Sequence, residues 1–148
     1  GLRFDAPLME EAFFSQVLEK HSAGQIKVAP ESGSDSVLRL MHKPARKVFE
    51  AFRGLMNRIL VKKNLSKRLV PYIIVGHPGE QAEQVRETLA FLKAQDLSGN
   101  QFQIFTPTPL TLATAMYYLE ENPLTGEKIF VEKNIKNLEK MKAGLTRR

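Results

Sequence analysis

Leu69-Val70-Pro71-Tyr72-Ile73-Ile74-Val75-Gly76-His77-Pro78-Gly79-Glu80 decides the fold. Its first seven residues are almost wholly apolar. A run that short and that apolar reads as a strand covered on both faces, as in a parallel sheet. Gly76-His77-Pro78-Gly79 breaks it, since glycine and proline leave regular structure at once. A helix is predicted from about residue 80 to 95, with Val85, Leu89 and Leu92 on one side. Strand, turn and helix together make one βα unit.

Working toward the N-terminus, residues 46–64 form a helix whose apolar positions are Val48, Phe52, Leu55, Met56, Ile59 and Leu60. That spacing is one core-facing stripe. Pro44 separates it from a shorter helix over 36–41. Before that comes a strand, Gln25-Ile26-Lys27-Val28-Ala29, and a turn, Pro30-Glu31-Ser32-Gly33-Ser34-Asp35. A first helix spans about 9–21, acidic at its start and basic at its end, with Gly24 as its stop. Gly1-Leu2-Arg3-Phe4-Asp5 reads as a strand end. Toward the C-terminus, Gln101-Phe102-Gln103-Ile104-Phe105 is a strand with alternating character, and Thr106-Pro107-Thr108-Pro109 ends it. Short helices follow over 112–120 and 134–142.

The order α-β-α-α-β-α-β-α predicts parallel βα units with right-handed crossovers. Three or four strands do not close a barrel, which takes roughly 200 residues or more. The expected fold class is therefore α/β, a partial TIM-like βα barrel: a half-barrel arc of parallel strands with helices outside. Residues 1–148 read as a single domain, with a basic tail over about 125–148. Both sheet edges are expected to be exposed.

Composition narrows the function. Hydrophobic residues make up 43% and charged residues 26%, with both signs interspersed, which suits a folded core. No apolar run approaches the roughly 18 residues of a membrane span. The charged first residues do not read as a signal peptide, so no membrane partner and a cytoplasmic location are expected. The chain opens on glycine, which points to a piece of a longer protein. It has no cysteine, so it offers no thiolate for a disulfide, a zinc-thiolate site or an iron–sulfur cluster. The net charge of +6 gathers between Arg39 and Arg68 and in the tail. That charge suits nucleic acid or a solvated helix face alike, and only Phe49 and Phe52 fall within the basic stretch.

Ligands of parallel α/β folds bind where strands end. Glu31 and Ser32 suit a ribose or an amino-acid group there, whereas the Ser34 hydroxyl reads as a helix cap, with Asp35 in the first turn. Gly76 and Gly79 allow close backbone approach to a ligand. His77 is a candidate acid, base or stacking surface, although a lone loop histidine is ordinarily exposed. Phe105 and Thr106 either line a purine pocket or form a rigid strand exit. His21 and His42 lie near helix ends and read as structural, and the histidines show no metal-ligand spacing. There is no P-loop, dinucleotide fingerprint or serine elbow. A cluster-independent sugar-phosphate enzyme would rest on the fold alone.

Five blocks resemble the radical S-adenosylmethionine (SAM) proteins of the YgiQ type. They are Gly1-Leu2-Arg3-Phe4-Asp5; Ile26-Lys27-Val28-Ala29-Pro30-Glu31 with Met41-His42-Lys43-Pro44; Glu31-Ser32-Gly33-Ser34-Asp35; Pro71-Tyr72-Ile73-Ile74-Val75-Gly76-His77-Pro78-Gly79; and Pro107-Thr108-Pro109 with Ala113-Thr114-Ala115-Met116-Tyr117 and Asn122-Pro123-Leu124. Their order is kept to about residue 142. The resemblance implies barrel strands three to six, with a [4Fe–4S] cluster only in the missing N-terminal half. It implies a partial SAM site: Glu31 and Ser32 near the ribose or methionine end, Gly76, His77, Phe105 and Thr106 near the adenine, and Arg3 and Asp5 on the same face. The parent would be an iron–sulfur enzyme of unknown substrate. This chain alone would be inactive, with the rest of the barrel, in cis or as a separate chain, as its partner. A basic RNA-binding module is the alternative.

Overall fold

The structure is a computed structural model that describes residues 4–6, 10–97 and 101–146. The chain is α/β. Its described elements are α1 (Glu11–Lys20), β1 (Gln25–Glu31), α2 (Asp35–Leu40), α3 (Arg46–Lys63), β2 (Arg68–Val75), α4 (Ala82–Ala94), β3 (Gln101–Ile104), α5 (Leu112–Leu119) and α6 (Ile135–Thr146). The three strands form one parallel sheet in the order β1-β2-β3. This is the expected arc of βα units. Of the strand end expected at residues 1–5, only Phe4 and Asp5 are described, and they lie in a bend.

The core lies between the sheet and its helices. Ile26 and Val28 of β1, Leu69, Ile73 and Val75 of β2 and Phe102 of β3 pack against Phe14, Leu18, Phe49, Phe52, Met56 and Phe91. The aromatic rings interlock: Phe49 meets Phe91 at 5.5 Å and Phe14 meets Phe52 at 5.5 Å between centroids. Each such large side chain contributes on the order of 2 kcal/mol when buried. The α3 stripe is as expected, with Phe49 added.

The second sheet face is different. Register pairs Lys27 with Val70, Tyr72 with Gln101 and Ile74 with Gln103. Lys27 and Gln103 are exposed, and Tyr72 and Ile74 are only half-buried. The described helices pack on one face. On the other, Val70 is buried and Tyr72 and Ile74 line a cavity, so the expectation that β2 is covered on both faces holds there only in part. Pro71, which has no N–H to give, sits inside β2 opposite Val28 of β1.

Local chemistry sets the ends. α1 stops at Lys20, before Gly24; the Ser22 hydroxyl donates to the Leu18 carbonyl at 2.9 Å, and the Gly24 carbonyl instead accepts from the Arg68 N–H. α3 ends on left-handed Asn64, with the Leu65 N–H donating back to the Leu60 carbonyl at 2.9 Å. Ser34 takes the N-cap position of α2, but its hydroxyl lies 2.9 Å from the Ser36 hydroxyl and does not cap. Asp35 accepts from the Arg46 N–H at 2.7 Å, which ties α2 to the start of α3. The basic C-terminal region contains α6, which buries Leu138 and Leu145.

Candidate functional site

A cavity of about 510 Å³ opens at the carboxyl ends of the strands. Glu31 from β1, Tyr72 and Ile74 from β2, Gln103 and Ile104 from β3, and His77, Phe105 and Thr106 beyond the strand ends line it. His42 and Lys43 after α2, and Thr108, Thr111 and Leu112 at the start of α5, complete its rim. Four of the residues singled out in the sequence, Glu31, His77, Phe105 and Thr106, thus share one cavity.

Glu31 is aimed into this wall by irregular backbone. The β1–β2 register slips by one residue between Val28 and Glu31, and Glu31 itself has φ 68°. A bulge of this kind re-aims a side chain, and left-handed backbone without glycine costs on the order of 1 kcal/mol. One carboxylate oxygen lies 3.3 Å from the Lys43 ammonium. The other, Oε2, is buried and has no hydrogen-bond partner among the described residues. Lys43 is nearly half exposed, so the pair itself contributes little.

His77 is 4% exposed, which corrects the expectation of an exposed loop histidine. Its Nδ1 lies 2.9 Å from the Pro78 carbonyl, and its ring stands edge-on to Phe105 at 5.2 Å. Burial lowers its pKa from the ordinary histidine value, against a smaller opposing effect of the Pro78 carbonyl. The neutral ring donates through Nδ1 and keeps Nε2 as an acceptor. Glu80, four residues past Gly76, is 1% exposed. Burial pushes its pKa up to about 7, although the Gly76 N–H donates to its Oε2 at 2.5 Å.

Ser32 and Gly76 do not line the cavity. The Ser32 hydroxyl accepts from the Ser34 N–H at 3.1 Å and sits 3.3 Å from the Thr88 hydroxyl of α4. Gly33 follows it inward: a Cβ there would meet the Thr88 Cα at 2.7 Å. The Ser-Gly pair seats the β1 turn on α4. Gly76 has φ 78°, and a Cβ on it would run into Leu138 of α6, not into open space. Its glycine serves the turn and the packing of α6. Arg3 lies outside the described residues.

Sequence reasoning missed Lys43 and His42 as cavity residues, because a basic helix turn gives no sign of facing a site. Tyr72, Ile74 and Gln103 carried a usable signal, since alternate residues of neighbouring strands share a face. Glu80 carried none, because a glutamate after glycine reads as a helix start. Among the described residues no three His, Asp or Glu side chains converge as metal ligands. None of the described helices is long and apolar enough to cross a membrane. The basic stretch lies along α3, where Arg46 pairs with Glu50 at 3.4 Å and Lys63 with Glu19 at 3.0 Å.

Residues 100–145 match a family described as a domain of unknown function, DUF3362. The chain is 41% identical over 138 residues to a UPF0313 protein of Clostridium botulinum (strain Loch Maree / Type A3), covering 92% of this chain and 21% of that protein. It is 41% identical over 145 residues to a UPF0313 protein of Thermotoga neapolitana, covering 96% of this chain and 26% of the relative. A UPF0313 protein of Clostridium perfringens (strain SM101 / Type A) is 36% identical over 136 residues, or 90% of this chain and 20% of the relative. The chain thus spans between 20% and 26% of the length of these relatives. Over at least 90% of its own length it is homologous to proteins named UPF0313, and its last part carries a DUF3362 match.

Proposed function

We propose that this chain is the C-terminal portion of the core barrel of a cytoplasmic radical SAM protein, and that the strand-end cavity is the nucleoside side of its SAM site. The observation that carries the reading is Glu31, a left-handed, buried carboxylate on the cavity wall with one oxygen unpartnered. Strain of this kind persists where function requires it. The five ordered motif blocks, the parallel arc with one open face and the greater length of the relatives support the same reading.

The cavity's residues fit a nucleoside. Glu31 Oε2 accepts from hydroxyl groups such as those of a ribose. Phe105, Ile74 and Ile104 offer an apolar wall to a purine, and the neutral His77 ring offers an acceptor to an amino group. Lys43 neutralises Glu31 and leaves its outer face polar. A reduced [4Fe–4S] cluster held by the rest of the barrel would supply the one electron that splits bound SAM into methionine and a carbon-centred radical. With no cysteine, this chain leaves the cluster ligands to the rest of the barrel, which is its partner in cis or in trans. Its own residues bind and orient the nucleoside. Alone, the chain is inactive.

Calorimetric titration tests this. This chain alone is expected to bind SAM weakly or not at all, and to retain no iron after anaerobic reconstitution. Submicromolar affinity or retained iron would overturn the reading. In a longer protein that contains this chain, Glu31→Gln is expected to weaken SAM binding about tenfold, the loss of one hydrogen bond to a charged group. Unchanged affinity there removes Glu31 from the site. RNA binding, the alternative, has less support, since Phe49 and Phe52 lie in the core and Arg46 and Lys63 are paired. RNA affinity that falls steeply with salt would favour it instead.

A further inference from the structure

At the end of β2 the chain leaves the sheet at Gly76, turns through His77, Pro78 and Gly79, and enters α4 after Glu80. The turn is fastened at several points. The Gly76 N–H donates to Glu80 Oε2 at 2.5 Å, and the Glu80 N–H donates to the His77 carbonyl at 2.9 Å. From outside, the Phe130 carbonyl accepts from the Gly79 N–H at 2.8 Å. Between these points stands the His77 ring, held by the Pro78 carbonyl and by Phe105.

Glu80 is an unusual choice for this position. A glutamate near a helix start gains from the helix dipole while remaining in water. This one is 1% exposed, and its Oε1 has no hydrogen-bond partner among the described residues. Burying a carboxyl with one oxygen unsatisfied is costly. A cost of that kind needs a return, and the group that the side chain does satisfy is the Gly76 N–H.

We propose that Glu80 is a positioning residue: by fastening Gly76 it sets where the His77 ring stands on the cavity wall. Glu80 does not line the cavity, so it acts through the turn and touches no ligand. The role is independent of which ligand the cavity takes.

Few charges compete for this carboxyl. His77, in the same turn, is its titratable neighbour. Lys43, beyond α2, is engaged by Glu31; Lys128 and Lys133, either side of Phe130, are engaged by Glu121 and Glu120. Arg39 on α2 and Lys136, Glu139 and Lys140 on α6 are exposed. Burial is the main cause of its raised pKa, so the bond to Gly76 changes character within the neutral range.

Proton–nitrogen NMR of this chain tests the role. Between about pH 5 and 9 the Gly76 amide proton is expected to move downfield in one step as Glu80 ionises. The His77 ring protons are expected to register the same step. In Glu80→Gln the spectrum should stay dispersed, because the amide oxygen still accepts from Gly76, and the step near pH 7 should vanish from Gly76, leaving at the His77 ring only its own titration. In Glu80→Ala the His77 ring signals should move toward those of the exposed His21 and His42. A Gly76 amide that does not respond to pH overturns the proposal, as does a His77 ring unmoved in Glu80→Ala. If Glu80→Ala fails to fold, Glu80→Gln decides: a step near pH 7 that persists at the Gly76 amide overturns the role.

Discussion

Burial moves Glu80 and His77 in opposite directions, although they sit in one turn. For Glu80 the folded-state value, about 7, lies above the ordinary 4.5, so the folded chain holds that proton more tightly. Its stabilising effect is full below about pH 4.5 and is lost as pH rises through 7. Across that window the shift amounts to roughly 3 kcal/mol. His77 has a lowered pKa, so its contribution is present above the unfolded value and is lost as pH falls. Urea unfolding separates the two. Glu80→Gln is expected to gain about 3 kcal/mol relative to the parent between pH 5 and 8, and its remaining slope should run upward with pH, as His77 dictates. A stability difference that ignores pH would show that Glu80 does not titrate there. This pair also marks what single residues reveal in a sequence. His77 and Glu31 were legible as site candidates because polar residues at strand ends face ligands. Ser32 and Gly76 read the same way and serve packing instead. The difference lies in Thr88 and Leu138, which meet them from α4 and α6 and have no local signature.

Periodicity is a local property, and the elements it governs were readable: the apolar stripe of α3, the apolar run of β2, the alternation of β3. Ends were less so, because a cap is a contest between neighbours. Ser34 occupies the N-cap position of α2 and bonds Ser36, while Asp35 reaches across the Pro44 turn to the first N–H of α3. Asp35 therefore braces two helices, where a first-turn acid would support only one. The start of α4 shows the same competition: the Gln81 N–H goes to the Gln84 side chain, and Glu80 is left free for Gly76. Asp35→Ala is expected to cost about 1 kcal/mol in urea unfolding, the usual loss for a helix cap. Ser34→Ala, which breaks only a hydroxyl pair, is expected to cost less. The reverse order would show that Ser34 holds the turn.

An alternating βα order made the arc legible, but it does not say which faces of the sheet are covered. β2 is apolar along both faces, and the arc was expected to carry its helices on the outside alone. In the folded chain they occupy one, and Tyr72 and Ile74 look onto the cavity side. A barrel interior explains an apolar face without a helix, because closure covers it from the opposite strands. The described part of this chain does not close: β1 and β3 each lack a neighbour on one side. Large apolar side chains are also exposed beyond β3, among them Leu110, Tyr118, Leu119, Leu124 and Ile135. Unpaired edges and exposed apolar surface are the features that drive association of incomplete folds at micromolar to millimolar concentration. The chain on its own is therefore expected to self-associate. Light scattering after size-exclusion chromatography should give a mass that rises above the monomer value as loading increases. Tyr118→Lys with Leu119→Lys should lower that rise, since exposed lysines oppose contact without touching the core. If, as proposed, the additional chain of the longer relatives completes the sheet, those proteins should elute at a concentration-independent mass. If this chain stays monomeric over the whole range, its edges are already protected, and the half-open arc is a finished surface rather than one side of a barrel.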